Sequence, residues 1–482
     1  MKRPKPVAAA QDIHFATIAE LSQKLRSREV SSEELTKIFC DRLEQLGPNY
    51  NALACLLRKD AIKAAKDVDG DLKRQRYRSL VQGIPFGAKD LLSVAKYPTT
   101  WGAKPYQDQV FDYDATAIKR LKGKGALVVA KLSMVELAGG GGYSSASASL
   151  QGPGLNPWNK DYWSGGSSSG SGAAVAAGLV PYALGSETSG SILTPAAYCG
   201  VTGLRPTYGL VSRHGAMPLS WTLDKIGLLA RCADDCGHVL QAMAGGDTAD
   251  PGSAGKSFYY FPQYSRKIPD LKFGYSPLDF SDLLEEPYRP VFAKALQVVK
   301  SLGAQLTEAT WPDFPYGPVI GTIIDSDAVS VFETLIRSGR VDQLADQEQI
   351  NGLKAAMNYS ALDYLKAMRI RRQIQAAFRE LFVNIDILIA PTRKTIADLA
   401  NVPFDQQHPE KQPPEHPRGL YGLIPASNLL GFPALSLPCG FVNGMPVAIQ
   451  LVGNQFSENT LLAIGREFQK VTDFHKQRPP NV

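Results

Sequence analysis

The stretch from residue 139 to residue 200 is very rich in glycine, serine and alanine. Its centre, Ser164 to Gly172, reads Ser-Gly-Gly-Ser-Ser-Ser-Gly-Ser-Gly and runs directly into Ala173 to Val180, a pattern of small residues typical of a compact helix. A flexible Gly/Ser linker has a similar composition. A linker between domains, however, does not lead straight into a tightly packing segment. Because small residues let one backbone approach another closely, the pattern favours the crowded floor of an active site.

A second loop follows, Gly185 to Ser191, with the sequence Gly-Ser-Glu-Thr-Ser-Gly-Ser. Consecutive backbone N–H groups in such a turn can converge on one point and form an oxyanion hole in front of a serine. The alternative is an ordinary turn capped by Ser and Thr side chains. A phosphate-binding P-loop is disfavoured, because no lysine follows the glycines of the 164–172 segment. The loop therefore indicates a serine nucleophile.

A serine hydroxyl needs a base to accept its proton. None of the six histidines lies in a recognisable triad motif, although a triad assembled in space stays open; His214, near the Gly/Ser-rich core, is expected to make a structural hydrogen bond. A lysine serves as a base when burial lowers its pKa enough to leave it neutral. Lys89 follows Ile84, Pro85, Phe86, Gly87 and Ala88 and is the candidate, whereas a lone lysine is more often a solvated surface charge.

These segments resemble the amidase signature family in order and spacing. The resemblance rests on Gly-Gly-Ser167-Ser168, on Gly-Ser-Glu-Thr-Ser-Gly-Ser191-Ile, and on the run from Pro195 to Gly209. It extends to Gly83–Asp90 around the lysine, to Asn156-Pro157-Trp158, and to residues 431–453 near the C-terminus. The middle of the chain, about 245–380, is not diagnostic.

The resemblance implies a Ser–Ser–Lys triad that works without a metal ion or cofactor. Ser191 is expected to be the nucleophile, Ser167 to follow a cis peptide bond and relay the proton, and Lys89 to be the base. The oxyanion hole is expected from backbone N–H groups, those of Thr188, Ser189, Gly190 and Ser191.

The expected fold is α/β, and the resemblance implies a large mixed, mostly parallel β-sheet covered by helices on both faces. The order of elements agrees, because helix and strand patterns alternate along the chain. No linker divides the sequence, so we expect a single amidase domain over residues 1–482. Its parts are an N-terminal helical segment (1–75), a catalytic core (76–250), a helical insertion (250–380) and C-terminal core strands (381–482).

Local signals predict several elements within this frame. Ser31 and Glu34 have the spacing of a helical capping box, and Asp114 is expected to cap a short helix. Asn443-Gly444 between two apolar runs predicts a β-hairpin. The remaining expectations are strands at 125–130, 271–275 and 386–390, helices at 290–302 and 361–384, and a surface loop at 402–418.

Composition limits the partners and the compartment. A net charge of +6 without a run of basic residues predicts no nucleic-acid partner. No stretch of about 18 apolar residues occurs, so no membrane association is expected. The six cysteines contain no CxxC pair, which favours free thiols in a reducing, cytoplasmic setting and gives no zinc site. A signal peptide removed earlier and a homodimer both stay open.

The sequence favours a stand-alone hydrolase of small neutral amides, anilides or carbamates. Many family members carry an arginine two or three residues after the nucleophile, where this chain has Leu193 and Thr194; its absence predicts neutral substrates. The substrate pocket is expected to include part of a glycine-rich loop, namely Gly140, Gly141 and Tyr143. The alternative is the A subunit of a glutamyl/aspartyl-tRNA amidotransferase. A catalytically dead scaffold is disfavoured because all three triad residues are present.

Overall fold

The computed structural model describes residues 13–407, 419–480 and 482. Within them, eleven strands form one large sheet in the order β1-β3-β2-β6-β8-β7-β12-β13-β11-β9-β10, and β4 pairs with β5 in a small hairpin. The strands are β1 (Leu53–Leu56), β2 (Pro85–Lys89), β3 (Leu127–Leu132), β4 (Leu155–Asn156), β5 (Asn159–Trp163), β6 (Tyr182–Glu187), β7 (Thr202–Arg205), β8 (Lys225–Ala230), β9 (Lys272–Tyr275), β10 (Gln305–Glu308), β11 (Ile387–Pro391), β12 (Ala434–Val442) and β13 (Met445–Gly453).

Helices connect and cover these strands. They are α1 (Ile18–Arg26), α2 (Ser32–Leu46), α3 (Arg58–Lys73), α4 (Thr116–Gly123), α5 (Ser169–Ala176), α6 (Leu193–Cys199), α7 (Ala233–Met243), α8 (Arg289–Ser301), α9 (Tyr316–Arg337), α10 (Gln347–Ala356), α11 (Ala361–Asn384), α12 (Phe404–Gln407), α13 (Leu423–Leu430) and α14 (Glu458–Val471). None of the helices in the described part of the chain is long and apolar enough to span a lipid bilayer.

The α/β class with one large mixed sheet is confirmed. Parallel pairing occurs in two blocks: β3, β2 and β6 on one side, and β11, β9 and β10 on the other. The strands between these blocks, from β8 to β13, pair antiparallel with their neighbours. The first parallel block carries both the segment ending at Lys89 and the strand that leads into the Gly185–Ser191 loop.

Both faces of the sheet are covered. In β6, Tyr182 and Leu184 belong to one buried hydrophobic cluster while Ala183 belongs to another, and Leu228 and Leu229 in β8 divide in the same way. Successive side chains of a strand point to opposite faces, so a strand buried on both sides is apolar throughout. Burial of a side chain such as leucine contributes about 1.5–3 kcal/mol to folding, and this makes the centre of the sheet a rigid platform.

The Gly/Ser-rich segment is part of the core rather than a linker. Every residue of α5 is buried, including the glycines and serines. A Cβ atom at Gly170 would lie 2.6 Å from the carbonyl oxygen of Ala52 and from the backbone nitrogen of Ser133. The close backbone approach expected from the small residues is therefore present, and it requires glycine at this position.

Most local predictions agree with the structure. The capping box of Ser31 and Glu34 starts α2, and α11 spans Ala361–Asn384. Asn443 (φ 51°) and Gly444 (φ 76°) turn the chain between β12 and β13. The prediction for Asp114 was wrong: α4 begins at Thr116, and the Asp114 carboxylate accepts a hydrogen bond from the Ala95 N–H and pairs with Lys122 instead.

The 250–380 segment contains strands as well as helices. It contributes β9 and β10 to the edge of the main sheet, before α9, α10 and α11 pack together. In the expected 402–418 surface loop, residues 404–407 form a short helix and 408–418 lie outside the described residues, together with His408 and His416. All six cysteines are free thiols.

Candidate active site

Lys89 is the last residue of β2, a strand placed between β3 and β6 in the interior of the sheet. Its side chain is fully buried. The Lys89 Nζ donates hydrogen bonds to the Ser167 Oγ at 2.7 Å and to the Ser186 Oγ at 3.0 Å. The structure thus brings together the lysine and the first serine of the expected triad, which lie far apart in sequence.

The environment of Lys89 makes it a usable base. Burial lowers the pKa of its ammonium group from the ordinary value near 10.5 to about 7, although the carboxylates of Asp224 and Glu187 act in the opposite direction. Desolvation disfavours the charged form of an amine. A substantial fraction of Lys89 is therefore neutral near pH 7, when an exposed lysine is almost wholly protonated.

Ser167 lies in the turn between β5 and α5, where the peptide bond from Gly166 to Ser167 is cis, as the resemblance implied. The turn is tightly enclosed: a Cβ atom at Gly166 would lie 2.5 Å from the Trp163 ring and 2.7 Å from the Val135 side chain. The next residue, Ser168, donates its N–H to the Ser191 carbonyl oxygen at 3.3 Å. This contact joins the two serine-containing loops directly.

Ser191 closes the second loop and borders a cavity, with 9% of its surface exposed. Gly190 before it has a φ of 88°, a left-handed conformation that favours glycine. Within the described part of the chain, the backbone N–H groups of Ser189, Gly190 and Ser191 have no protein acceptor. Three adjacent free donors beside a serine hydroxyl are what an oxyanion hole requires.

A buried ion pair that the sequence analysis missed fixes the shape of this loop. The carboxylate of Glu187 pairs with Arg205 at 2.7 Å and accepts the N–H groups of Ile192 and Leu193 at 2.9 and 3.0 Å, besides the Asn428 amide. Burial alone would raise the pKa of Glu187, but Arg205 and these donors lower it to about 2. The ionised carboxylate therefore holds the start of α6 next to Ser191.

A second carboxylate holds the other side of the loop. Asp224 accepts the Thr188 hydroxyl at 2.6 Å and the N–H groups of Leu219 and Ser220 at 2.7 and 2.9 Å. The Ser220 hydroxyl in turn donates to Asp327 of α9 at 2.6 Å. A chain of hydrogen bonds therefore connects the Ser191 loop to the helices of the 250–380 segment.

The cavity in front of Ser191 has a volume of about 360 Å³. Its lining combines an apolar and aromatic wall with two charged side chains: Ala138, Gly139, Tyr143, Trp163, Gly166, Thr188, Ser189, Ser191, Thr194, Leu219, Ile324, Arg393, Asp398 and Phe404. A volume of this size holds a small organic substrate.

Of the three residues expected in the substrate pocket, only Tyr143 lines this cavity. Gly140 and Gly141 instead pack against α10. The Gly140 carbonyl oxygen accepts the side-chain amide of Gln349 at 3.0 Å, and a Cβ atom at Gly141 would lie 2.7 Å from the Leu353 side chain. Glycine in this loop permits close packing of a helix rather than access for a ligand.

Arg393 is the main residue of the cavity that the sequence analysis missed. It follows β11, far along the chain from Ser191, and its exposed side chain lines the cavity. Leu193, two residues after Ser191, is a buried apolar side chain, so this position supplies no positive charge to the cavity. Another segment of the chain nevertheless supplies a cation to the same cavity.

A second cavity, of about 340 Å³, adjoins the first and shares Ala138, Thr188 and Leu219 with it. Ser186 and His214 line this second space. The His214 ring stacks on Tyr113, with ring centroids 5.8 Å apart, and among the described residues its side chain has no partner for the expected structural hydrogen bond. No cluster of three or more metal-ligating side chains occurs among the described residues.

The chain belongs to the amidase family: the family model for amidases matches residues 34–462. The A subunit of glutamyl-tRNA(Gln) amidotransferase from Marinomonas sp. (strain MWYL1) is 36% identical over 96% of this chain and 98% of the relative. The peptide amidase from Stenotrophomonas maltophilia is 28% identical, with a TM-score of 0.81 over 97% of this chain and 98% of that protein. The A subunit of the same amidotransferase from Thermotoga maritima is also 28% identical, with a TM-score of 0.77 over 96% of each chain.

These comparisons confirm one functional expectation and overturn two others. The protein is an enzyme that cleaves carbon–nitrogen amide bonds. The preference for a stand-alone hydrolase of neutral small molecules was wrong, as was the expectation that nucleic acid plays no part. Relatives that match nearly the whole chain are named as subunits of an enzyme of glutamyl-tRNA(Gln). Charge and the undiagnostic middle region were insufficient grounds for separating the two functions.

Proposed function

We propose that this chain is the amide-cleaving A subunit of an amidotransferase that acts on glutamyl-tRNA(Gln). The observation that carries the proposal is the identity of 36% to such a subunit over 98% of its length. The chain would release ammonia from an amide donor, and companion subunits would direct that ammonia to the glutamyl group on the tRNA. A modest net charge agrees with this division of labour, because the companion subunits would hold most of the tRNA.

In the proposed mechanism Lys89, Ser167 and Ser191 transfer one proton in series. Neutral Lys89 accepts the hydroxyl proton of Ser167 while Ser167 accepts that of Ser191. The Ser191 Oγ then forms a bond to the carbonyl carbon of the donor amide. The 2.7 Å contact between Lys89 and Ser167 and the lowered pKa of the lysine support this direction of transfer.

Negative charge then develops on the donor's carbonyl oxygen. The N–H groups of Thr188, Ser189, Gly190 and Ser191 are proposed to bind it, and removal of one such donor typically costs about 10²–10³ in rate in other hydrolases. The carbon–nitrogen bond breaks as the proton held by Lys89 returns through Ser167 to the leaving nitrogen, which departs as ammonia. Water then attacks the ester on Ser191 through the same relay and releases a carboxylic acid.

The test is transamidation by the assembled enzyme. The chain is purified with its companion subunits and given glutamyl-tRNA(Gln), a nucleoside triphosphate to activate the carboxylate, and either an amide donor or ammonium chloride. Wild type should form glutaminyl-tRNA with both nitrogen sources. Ser191→Ala should lose the reaction with the amide and keep the reaction with ammonium, since only ammonia release requires Ser191.

Ser301→Ala serves as the control, because it also removes a serine hydroxyl, but at the exposed end of α8 and outside the lining of the cavity in front of Ser191. It should retain both reactions. The proposal fails if the chain hydrolyses amides but neither associates with the companion subunits nor supports transamidation with any amide donor.

A further inference from the structure

Two short segments of the chain are rich in positive charge and contain no acidic residue. Residues 73–78 read Lys-Arg-Gln-Arg-Tyr-Arg, and residues 119–124 read Lys-Arg-Leu-Lys-Gly-Lys. The fold brings the two segments together, because the Ser79 hydroxyl donates a hydrogen bond to the Lys124 carbonyl oxygen at 2.9 Å. The sequence did not reveal this basic patch, since neither segment is an unbroken run of basic residues.

Half of the eight cations in the patch already have partners in the protein. Arg74, Arg78 and Lys122 form ion pairs with aspartates, and Arg120 donates to backbone carbonyl groups at the end of α7 and just after it. The other four side chains are exposed and form no ion pair or hydrogen bond among the described residues: Lys73, Arg76, Lys119 and Lys124. The patch therefore retains positive charge for an external anion.

A groove of about 660 Å³ adjoins the patch. Its lining includes Arg78, Arg120 and Lys124, and none of the described residues that line it is acidic. Asp234 and Asp247 act on the groove from outside this lining, and both carboxylates accept hydrogen bonds from hydroxyl groups of the protein. A groove lined by charges of one sign raises the local concentration of ligands of the opposite sign.

The groove is separate from the amide-cleaving site. Arg78 and Lys124 precede β2 and β3, whereas Lys89 is the last residue of β2. Because β2 and β3 are parallel, these two groove residues lie at the edge of the sheet opposite Lys89. The groove also shares no lining residue with the Ser191 cavity. A ligand in the groove would therefore be bound without taking part in amide cleavage.

A row of exposed aromatic rings begins at the groove. Tyr259 lines the groove and is 62% exposed. Its ring stacks on Phe261, which in turn contacts the edge of Tyr264, with 6.2 Å between ring centroids in each pair. Tyr260 points inward instead, where its ring is buried and its hydroxyl donates to Asp234. This anchor holds the neighbouring rings outward, where they form a stacking surface beside the cations.

We propose that the groove and the aromatic row bind an RNA strand, with phosphates against the cations and an unpaired base stacked on Tyr259. A positively charged groove combined with stacking aromatic rings is typical of proteins that bind single-stranded nucleic acid. An acidic protein surface would engage the cations but would gain less from a row of stacked rings. The inference rests on the proposed function in one respect, that the RNA is the tRNA substrate, most of which the companion subunits would hold.

The test measures binding of the purified full chain to a fluorescein-labelled tRNA(Gln) transcript by fluorescence anisotropy, from about 50 to 200 mM salt. Arg76→Gln combined with Lys124→Gln should raise Kd about 10-fold at the lowest salt and reduce the slope of log Kd against log salt by about 1–2. Tyr259→Ala should raise Kd about fivefold or more with an unchanged slope, because stacking releases no counterions. Tyr259→Trp should bind as wild type does.

The matched control combines Lys294→Gln with Lys300→Gln. It removes the same amount of charge from exposed side chains on α8 that form no ion pair among the described residues. Its Kd for the transcript should stay within about twofold of the wild-type value. Ammonia release should be unchanged in every variant, because none of the substituted side chains lines the Ser191 cavity.

Absence of tRNA binding by the wild-type chain, or equal Kd values for the groove and control variants, would overturn the inference. Groove variants that lose binding to anionic phospholipid vesicles or to the companion subunits, yet keep the wild-type Kd for tRNA, would also overturn it. Binding of tRNA that depends on Tyr259, in a chain that does not support transamidation, would refute the proposed function and leave this inference standing. Transamidation without binding through the groove would do the reverse.

Discussion

Two regions of the active site differ in how the chain supplies them. The proposed catalytic floor consists of Lys89, Ser167 and Ser191, which come from strand ends and tight turns within residues 83–191. The cavity wall, which includes Arg393 and Phe404, comes from connections that the C-terminal strands bring to the same place. The floor is rigid because its surroundings are buried on both faces of the sheet. In the wall, Arg393 is held by side-chain contacts with Tyr198 rather than by the sheet itself.

The difference implies that the chemistry of the amide bond and the choice of substrate are separable. A change in the floor should remove catalysis for every substrate. A change in the wall should alter the ranking of substrates while the same reaction continues. The expected effects therefore fall in a definite order, from loss of the nucleophile to loss of a single positioning hydroxyl.

The largest effect is expected for Ser191→Ala. Hydrolysis of every amide should fall by at least about 10⁴-fold, since loss of a serine nucleophile leaves only the binding and oxyanion contributions. The folded state should persist, as the substitution removes one hydroxyl bordering a cavity. Steady-state ammonia release and the thermal unfolding midpoint measure the two effects. Activity within tenfold of wild type would remove Ser191 from the proposed triad.

Lys89→Ala should be the next most damaging change, with a loss of about 10³-fold or more. In wild type, kcat/KM should rise from pH 6 and level off above about pH 8, because the neutral form of a group with a pKa of about 7 is the active one. The variant should lose this rise. Lys89→Arg should be similarly inactive, since a guanidinium stays protonated throughout this range. A variant with the wild-type profile and rate would show that another group is the base.

Glu187→Gln tests the buried ion pair of Glu187 and Arg205 and should mainly lower the free energy of unfolding. Removing one partner of a buried ion pair leaves Arg205 uncompensated and costs about 3–5 kcal/mol in comparable cases. Urea unfolding measures the loss, with the exposed pair of Glu333 as comparison: Glu333→Gln should cost less than about 0.5 kcal/mol. Equal losses of unfolding free energy in the two variants would mean that the buried ion pair stabilises the fold no more than the exposed pair does.

The same carboxylate makes stability depend on pH. Because the folded protein holds the pKa of Glu187 at about 2, below its ordinary value of 4.5, its contribution is complete above about pH 4.5 and is lost as pH falls towards 2. Glu187→Gln should be less stable than wild type above that window, and the difference should narrow on acidification. A difference that stays constant from pH 6 to pH 3 would contradict this interpretation.

The smallest effect is expected in the wall, for Tyr198→Phe. The substitution removes the hydroxyl that accepts the Arg393 Nε–H and donates to Asp398, so KM for an amide donor should rise by less than about fivefold while kcat stays within twofold. Steady-state ammonia release measures both constants. A fall in kcat with an unchanged KM would instead place Tyr198 in support of the floor.

The sequence predicted that Lys89 and Ser167 belong to one site, and their 2.7 Å contact agrees with this, while the catalytic roles of the triad residues stay predictions. Local chemistry made the Ser191 loop and a buried Lys89 candidates, and the resemblance to the amidase signature family decided between these and the alternatives. It could not predict the pairing of Glu187 with Arg205, which requires β6 and β7 to lie on either side of β8. Arg393 carried no signal, since an arginine after a buried strand is ordinary until the fold places it in a cavity.

The prediction for Gly140 and Gly141 shows a second limit of predicting binding residues from sequence. A glycine-rich loop near an active site suggests access for a ligand, yet the same lack of side chain permits a helix to pack closely, and sequence does not distinguish the two. The function was misjudged for a related reason. The chemistry of the floor is common to independent amidases and amidotransferase subunits, so motifs within it carry no information about assembly.

The hydrogen bonds from Thr188 through Asp224 and Ser220 to Asp327 have a consequence for building chimaeric enzymes. The helices after residue 315 look like an exchangeable module, because the middle of the chain is the least diagnostic part of its sequence. An exchanged α9 that lacks a hydrogen-bond acceptor at position 327 would leave the Ser220 hydroxyl without its partner. Grafts between relatives should therefore be cut so that residues 219–224 and α9 come from the same parent.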